Sequence, residues 1–267
     1  MKLIGILGLL LILASIYNYT QISQFSTNKL TLHSEKLSYP LRITQISDYH
    51  SNGLINRKNL LDEISHFNPN IIVLTGDIID RKTNDINSVL NLVKELLALS
   101  PNVFFVIGNH ELKNKNGNKF IEKMKELGVI ILDDDIKTIQ VGENIIDICG
   151  ISFFATEEDY EGIIKDINQN NFIILLSHSP NRIIHYSKGV EDLILTGHTH
   201  GGQIRLPLLG SIIAPGQGLF PKYDKGLFQL KGTPLYIDSG LGNSTIPVRL
   251  FNRVQISNIT IKPTRDR

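Results

Sequence analysis

Short apolar runs alternate with segments of helical periodicity along most of the chain. The apolar runs are rich in Ile, Val, Leu and Phe, and they lie at residues 41–47, 71–75, 103–107, 172–177 and 193–196. Runs of this length and composition predict strands that are covered on both faces. Apolar residues recur at helical spacing in residues 57–67, 85–99 and 118–127, which predicts amphipathic helices between the early strands.

The later part of the chain has a different pattern. Short strand-like segments lie at residues 136–141, 145–150, 226–231, 235–238 and 254–261. Strands and helices that alternate first, followed by a run of short strands, predict a mixed α/β fold with some antiparallel strands. The predicted elements extend over most of the 267 residues, so we expect one folded domain at residues 39–267.

The N-terminus is strongly apolar. Lys2 is followed by the uncharged stretch from Leu3 to Tyr17, which is short for a membrane span, because about 20 apolar residues are usual. We favour a retained membrane anchor at residues 1–20 over a cleaved signal peptide, since Ile12 and Leu13 occupy positions where a cleavage site needs small residues. The polar residues 21–38 are then expected to form a tether.

The charge around this stretch predicts an orientation in the membrane. Lys2 precedes the apolar stretch, and Lys29 is the first charged residue after it. Positive charge beside a span tends to stay in the cytoplasm. We therefore expect a single-pass protein of the cell membrane with its folded domain outside the cytoplasm, and secretion after signal cleavage is the alternative.

The overall charge is close to neutral. A net charge of +1 and a pI of about 7.8 provide no basic surface for a long polyanion, so no nucleic acid partner is expected. Five lysines do lie between residues 113 and 125, interleaved with Glu122 and Glu126. This pattern is typical of a solvated helix face, and contact with lipid headgroups or an anionic substrate is the alternative.

Polar residues of metal-binding type follow each of the five apolar runs. They are Asp48 and His50, Asp77, Asn109 and His110, His178, and His198 and His200. The carboxyl ends of strands in an open α/β sheet converge on one crevice, where such folds place their sites. Nitrogen and oxygen ligands of this kind suit hard or borderline divalent metal ions.

The number of these residues indicates two ions rather than one. Residues two apart in an extended segment point to the same side, so Asp48 and His50 can reach one ion, and His198 and His200 can face the same crevice. One ion needs four to six donors, and this set contains more. Two ions that share a carboxylate lie about 3.5–4 Å apart and activate a water molecule between them.

In these motifs the chain resembles the calcineurin-like metallophosphoesterases. The family pattern Asp-x-His, Gly-Asp, Gly-Asn-His-Asp/Glu, His and Gly-His-x-His occurs here in order, from about Leu41 to Gln203. The resemblance implies two facing mixed sheets flanked by helices. It also implies two divalent metal ions, which are manganese, iron or zinc in this interpretation.

The resemblance also implies a role for each motif residue. One ion is expected to bind Asp48, His50, Asp77 and His200. The other is expected to bind Asp77, Asn109, His178 and His198. Asp77 therefore bridges the ions, and His110 is expected to face the substrate and to protonate or stabilise the leaving oxygen.

The implied function is hydrolysis of a phosphodiester, pyrophosphate or phosphomonoester bond by a hydroxide that bridges the two ions. Four segments, residues 197–203, 223–227, 238–242 and 247–249, resemble a membrane-associated bacterial branch that includes phosphodiesterases and UDP-diacylglucosamine pyrophosphatase-like enzymes. We therefore expect an envelope or lipid-linked substrate over a soluble phosphorylated molecule, with Arg249 as a candidate substrate contact. The alternative is a non-catalytic metal-binding scaffold on the same fold.

Overall fold

The computed structural model describes residues 2–243 and 247–264. Two six-stranded mixed sheets face each other, and helices cover the outer side of each sheet. This confirms the predicted fold class. The outer ends of the predicted anchor and domain, at residue 1 and residues 265–267, lie outside the described residues.

The helices follow the predicted positions closely, and several additional short ones occur. Their bounds are α1 (Lys2–Ser23), α2 (Arg57–Phe67), α3 (Asn87–Leu99), α4 (Asn109–Lys113), α5 (Gly117–Glu126), α6 (Glu157–Ile164) and α7 (Pro180–Tyr186). A single 3₁₀ turn spans His200–Gly202.

The first sheet has the strand order β1-β16-β2-β3-β4-β5. Its strands are β1 (Ser26–Ser34), β2 (Leu41–Ile46), β3 (Ile71–Leu74), β4 (Val103–Val106), β5 (Ile130–Leu132) and β16 (Gln255–Pro263). Strands β2 to β5 are parallel, and β16 pairs antiparallel with β2. The carboxyl ends of β2, β3 and β4 therefore lie at one edge.

The second sheet has the order β14-β15-β9-β8-β7-β6. Its strands are β6 (Asp135–Val141), β7 (Asn144–Ile151), β8 (Phe172–Ser177), β9 (Leu193–Thr196), β14 (Gly226–Leu230) and β15 (Thr233–Ile237). Strands β7, β8, β9 and β15 run parallel. Four two-residue strands form two small hairpins before β14, and they are β10 (Arg205–Leu206), β11 (Gly210–Ser211), β12 (Ile213–Ala214) and β13 (Gly218–Leu219).

The buried strands are apolar on both faces because each face meets a different layer. In β3, Ile72 and Leu74 pack against α2, α3 and α5, whereas Ile71 and Val73 face the second sheet. Side chains of a strand alternate between its faces, so an uninterrupted apolar run serves both layers. This arrangement explains why the runs show no polar alternation.

The segment predicted as a tether is instead part of the first sheet. Within residues 21–38, strand β1 pairs parallel with β16 from Ser26 to Ser34. Leu30 and Leu32 alternate with exposed residues and pack against the core between the sheets. Pairing along nine residues fixes this segment to the domain, so the prediction of a tether is wrong for residues 26–34.

Among the described residues, the contacts between helix α1 and the domain lie towards the C-terminal end of the helix. It is long and apolar enough to cross a membrane, and its most apolar 18-residue window has no buried residue. At its end, Gln21 and Ile22 are buried, and Asn52 donates a hydrogen bond to the Ile22 carbonyl at 3.0 Å. The helix therefore joins the domain without a flexible linker.

Candidate metal centre

The structure brings the predicted motif residues together at the carboxyl edge of both sheets. They occupy the loops after β2, β3 and β4 of the first sheet and after β8 and β9 of the second. These residues are Asp48, His50, Asp77, Asn109, His110, His178, His198 and His200. All lie in loops or first turns at one end of the sandwich, as expected for ligands on strand ends.

One group of side chains consists of Asp48, His50 and His200. The two Nε2 atoms of His50 and His200 face each other at 3.3 Å, and His200 Nε2 lies 3.4 Å from an Asp48 carboxylate oxygen. All three side chains are buried. Their ligand atoms lie within 4.8 Å of one another, so one ion placed between them would touch all three.

A second group consists of Asp77, Asn109, His178 and His198. His178 Nε2 lies 3.2 Å from the Asp77 carboxylate, 3.2 Å from the Asn109 side-chain oxygen and 3.0 Å from His198 Nδ1. The other nitrogen of His178 lies 2.9 Å from the Thr75 carbonyl oxygen. A donated hydrogen bond to that carbonyl leaves Nε2 as the metal-facing atom.

Asp77 lies between the two groups. The same oxygen, Oδ2, is 3.2 Å from His178 Nε2 and 3.8 Å from His50 Nε2. Its other oxygen accepts a hydrogen bond from the His110 backbone N–H at 2.7 Å. One carboxylate oxygen is therefore within reach of both groups.

The backbone at this site is unusual. Five of the candidate ligands have positive φ angles, namely 48° at Asp48, 49° at His50, 53° at Asp77, 71° at His198 and 51° at His200. Asp and His tolerate this region better than most residues, but it still costs roughly 1–3 kcal/mol each. The surrounding loops hold these side chains in geometries that an isolated peptide would not favour.

Gly76 shows how tightly these loops approach one another. Its φ is +84°, and an added Cβ would lie 2.5 Å from His178 Nδ1 and 3.0 Å from the Gly108 Cα. Any larger residue would therefore displace His178 or separate the loops after β3 and β4. This close approach is the reason for a glycine before Asp77.

Glu111 holds together the loops that carry the candidate ligands Asp77 and Asn109, a role that the sequence analysis did not identify. Its buried carboxylate accepts hydrogen bonds from the backbone N–H groups of Asp77, Gly108 and Ile79 at 2.9, 2.9 and 3.0 Å. It thereby connects the loops after β3 and β4. Burial, followed by the charge of Asp77, raises the pKa of Glu111 to about 7.

The electrostatics of the site depend on Asp77 and His178. Burial opposes the charge of Asp77, but His178, His50 and His110 hold the pKa of Asp77 below its usual range. Burial also opposes the charge of His178, but Asp77 outweighs burial and raises the pKa of His178 to about 10. Without a bound cation, the Asp77 carboxylate and the protonated His178 ring form an ion pair.

His50, His198 and His200 are neutral near pH 7. Burial lowers the pKa of His50 to about 4 and that of His198 to about 3, and burial also places the pKa of His200 well below its usual value. Neutral imidazole is the form that binds metal ions. Burial raises the pKa of Asp48 to about 7, against the opposing charge of His178.

Asp80 is a second residue that the sequence analysis missed. Its Oδ2 lies 3.0 Å from His110 Nδ1, and the opposite ring nitrogen of His110 lies 3.9 Å from the Asp77 carboxylate. Asp80 thus fixes the orientation of the His110 ring and directs Nε2 towards the two groups. The signal in the sequence is a carboxylate three residues after Asp77, just past the end of a buried strand.

Arg249 is not presented to a substrate, which corrects the expectation from the sequence. It is 1% exposed, and its guanidinium donates to the carbonyls of Ser239 and Gly242, each at 2.6 Å. It also bonds to Asn243 and Asn252. The guanidinium is therefore committed to the loop after β15.

That loop packs directly against Asp48. The N–H of Gly242 donates to the Asp48 carbonyl at 2.6 Å, and the N–H of Leu241 donates to the Ser47 carbonyl at 2.9 Å. Arg249 therefore stabilises the backbone around Asp48, one of the candidate ligands.

The two groups fit divalent metal ions by the chemistry of their donors. Ring nitrogens face each other across about 3 Å in each group. His50, His198 and His200 are neutral, and a metal ion would displace the proton that His178 holds beside Asp77. Each group also includes a buried carboxylate, and Asn109 adds an amide oxygen. Two lone pairs directed at one point are satisfied by a cation.

Comparison with known families agrees with this geometry. The calcineurin-like phosphoesterase family model matches residues 41–202, which is more than half of the chain. The metallophosphoesterase YkuE of Bacillus subtilis (strain 168) is 29% identical over 256 residues, covering 92% of this chain and 88% of the relative. YpbG of the same organism is 30% identical over 252 residues, covering 93% and 91%.

Two further similarities concern the membrane and the fold. A transmembrane protein with metallophosphoesterase domain from Danio rerio is 25% identical over 242 residues, and the match covers 83% of this chain and 53% of that protein. The NAD nucleotidase NadN of Haemophilus influenzae superimposes with a TM-score of 0.52 at 18% identity, over 76% of this chain and 50% of that one. The second similarity shows the fold alone.

Proposed function

Because the chain belongs to the calcineurin-like phosphoesterase family, and is therefore a phosphoester hydrolase, we propose that it uses two divalent metal ions to hydrolyse its substrate. The observation that supports two ions is the position of Asp77, whose Oδ2 lies 3.2 Å from His178 and 3.8 Å from His50. A single ion in either group would leave the other buried imidazoles without a partner.

We assign Asp48, His50 and His200, together with Asp77, to the first ion. We assign Asn109, His178 and His198, again with Asp77, to the second. Manganese, iron and zinc all suit this nitrogen and oxygen set. When bound, such ions supply Lewis acidity, which stabilises negative charge on phosphoryl oxygens and lowers the pKa of water.

His110 is the proposed proton donor to the leaving oxygen. Asp80 Oδ2 lies 3.0 Å from His110 Nδ1, and the opposite nitrogen, Nε2, faces the Asp77 carboxylate, where it would carry a proton towards the cleft. The His110 side chain is 9% exposed, so its ring is accessible at the edge of the site without being solvated on all sides. Asp80 acts as a positioning residue through His110.

We further propose that α1 anchors the enzyme in the cell membrane with its catalytic domain outside the cytoplasm. The support is the exposed apolar helix and Lys2 at its start, since positive charge tends to stay cytoplasmic. Protease added to spheroplasts should digest the domain. Full protection, with digestion only after lysis, would reverse the orientation.

An envelope or lipid-linked phosphate ester is the proposed substrate. The anchor would hold the site near the membrane surface, where such esters are concentrated. A panel of lipid-linked and soluble phosphodiesters, pyrophosphates and phosphomonoesters, assayed with the metal-loaded full chain, would rank these classes. A preference for soluble metabolites throughout the panel would contradict the lipid-linked assignment.

The activity itself is tested with 4-nitrophenyl phosphodiesters and monoesters. The purified full chain should hydrolyse at least one of them when manganese, iron or zinc is supplied, and Asp77→Asn should remove that activity. Asp62→Asn is the matched control, because Asp62 carries the same side chain on the exposed face of α2. A metal-loaded chain that is inactive on all of these esters would favour the non-catalytic scaffold.

A further inference from the structure

A charge-free segment follows the 3₁₀ turn that carries His200. Residues 206–221 contain no charged residue, in a chain in which charged residues make up 20%. Together with Arg205, they form the two small hairpins β10–β13. Leu208, Leu209, Leu219 and Phe220 on these hairpins are 106%, 66%, 69% and 63% exposed, so the segment presents large apolar side chains outward. The flanking charges are Lys222 and Arg205, which pairs with Asp224 at 2.7 Å.

This apolar surface is continuous with the end of α1. The ring of Phe251 lies beside that of Tyr17, with centroids 6.1 Å apart, and Phe251 lines one recess together with Arg205, Leu206 and Leu208. The Phe251 backbone N–H also donates to the Tyr17 hydroxyl at 3.0 Å. Tyr side chains favour the membrane interface, so the hairpins lie at the level where α1 would leave the bilayer.

The contacts of α1 support the same placement. The helix is long and apolar enough to cross a membrane, and its contacts with the described part of the domain begin at Tyr17. A helix that spans the bilayer up to this point would place Tyr17, and the hairpin face beside it, at the membrane interface.

An apolar cavity of about 460 Å³ connects this face to the metal centre. Thr199 and His200 line its inner end, and Ile204, Ile212, Ala214 and Val248 line its walls. Ile213 and Val248 stand at its exposed side, at 55% and 39% exposure. Its size is in the range of small-molecule sites, and its walls carry no charged side chain.

A second cavity, on the other side of the centre, is lined in part by charged side chains. It has a volume of about 500 Å³ and is lined by His50, Asp80, Arg81 and Lys82 among others. The rings of His50 and His200 stack at 5.1 Å between the two cavities. A phosphate held at the centre would thus have a charged environment on one side and an apolar one on the other.

We propose that the apolar cavity beside His200 binds an acyl chain of a membrane lipid whose phosphate ester is held at the metal centre, while hairpins β10–β13 rest in the membrane interface. The substrate class is therefore a phosphate ester with an acyl chain close enough to the phosphorus to enter this cavity while the phosphate lies at the metal centre. This inference rests on the proposed function, because it assigns the phosphate to the metal centre.

Photolabelling tests the cavity without requiring turnover. The full chain is reconstituted in phosphatidylcholine vesicles that contain phosphatidic acid with a diazirine at the end of one acyl chain, and adducts are mapped by mass spectrometry. Adducts are expected at Ala214 or Val248. Because Ala214 is 2% exposed, a chain must enter the cavity to reach it. Adducts on α1 without any at Ala214 or Val248 would overturn the proposal.

A matched pair of variants makes this result specific. Ile213→Glu places a charge at the cavity entrance and should lower labelling of Ala214 and Val248 by roughly tenfold or more, while labelling of α1 continues. Ile145→Glu adds the same charge at the start of β7, where Ile145 is 49% exposed. It should leave the labelling unchanged, and equal losses in both variants would contradict the cavity assignment.

Chain-length dependence separates this inference from the proposed function. Each methylene removed from water favours binding by about fourfold, so kcat/KM for 4-nitrophenyl alkyl phosphates should rise at least tenfold from ethyl to octyl. With all variants assayed in one detergent, Ile213→Glu should lose most of this ethyl-to-octyl increase in kcat/KM, and Ile145→Glu should keep it. Equal rates along the series would overturn the cavity proposal, whereas no hydrolysis of any ester would overturn the proposed function.

Discussion

Replacing Arg249 by methionine distinguishes the structural role of this residue from the substrate contact that the sequence suggested. The change keeps most of the side-chain stem but removes every donor. The carbonyls of Ser239 and Gly242, each bonded at 2.6 Å, would lose their partners inside the protein. An unsatisfied buried acceptor costs about 1–3 kcal/mol, and loss of the buried charge offsets part of this, so we expect a net loss of about 3 kcal/mol.

This loss corresponds to a lower Tm by about 6–12 °C, since 1 kcal/mol shifts Tm by about 2–4 °C in a chain of this size. Circular dichroism of the full chain in detergent suits the measurement, because the chain has no Trp and only 8 Tyr for fluorescence. Arg253→Met is the control. Arg253 is exposed, and its replacement should change stability by less than about 0.5 kcal/mol.

Metal content and KM complete the distinction between a structural role and a substrate contact for Arg249. Loosening the loop at Gly242 should disturb the backbone of Asp48, so Arg249→Met should also bind less metal. An unchanged Tm together with full metal content and a raised KM alone would refute this reasoning and restore Arg249 as a substrate contact.

Three further predictions concern the metal centre and the core. His110→Asn should retain both metals and lower kcat by about 10²–10⁴-fold, with a greater loss for poor leaving groups than for nitrophenolate. Asp80→Asn should show the same dependence on the leaving group with a smaller loss. Equal losses across leaving groups would contradict proton donation by His110. Metal affinity should rise with pH, because His178 in the ion pair with Asp77 has a pKa of about 10 and below that pH a metal ion must displace its proton. An affinity that does not change between pH 6 and 9 by titration calorimetry would contradict this. Cys149 should resist thiol reagents in the folded chain and react only in denaturant, since burial raises its pKa to about 12; rapid labelling of the native chain would show that the second sheet opens.

The sequence was most informative where chemistry and local pattern coincided. Each ligand candidate stands directly after a short apolar run, and those runs are the parallel strands of both sheets. Because strand ends at one edge of a sheet must lie together, convergence followed from order and pattern alone. The bounds of α2 and β6 were predicted to within one residue.

The errors arose where the structure depends on distant partners. Strand β1 is weakly apolar and pairs with β16 more than 200 residues later, so residues 26–34 looked like a polar linker. Burial of Arg249 depends on a loop whose carbonyls point inward, and no local pattern reports this. Asp80 belongs to no sequence motif, and its role follows only from the position of its carboxylate beside the His110 ring in the folded chain.

The most direct test of the account is the metal content of the purified full chain and of two carboxylate variants. We expect about two equivalents of divalent metal per chain in the unmodified protein. Asp48→Asn should lower mainly one equivalent, whereas Asp77→Asn should lower both, because its carboxylate lies between the two groups. Two full equivalents in purified Asp77→Asn, or only one in the unmodified protein under metal excess, would contradict a dinuclear centre bridged by Asp77.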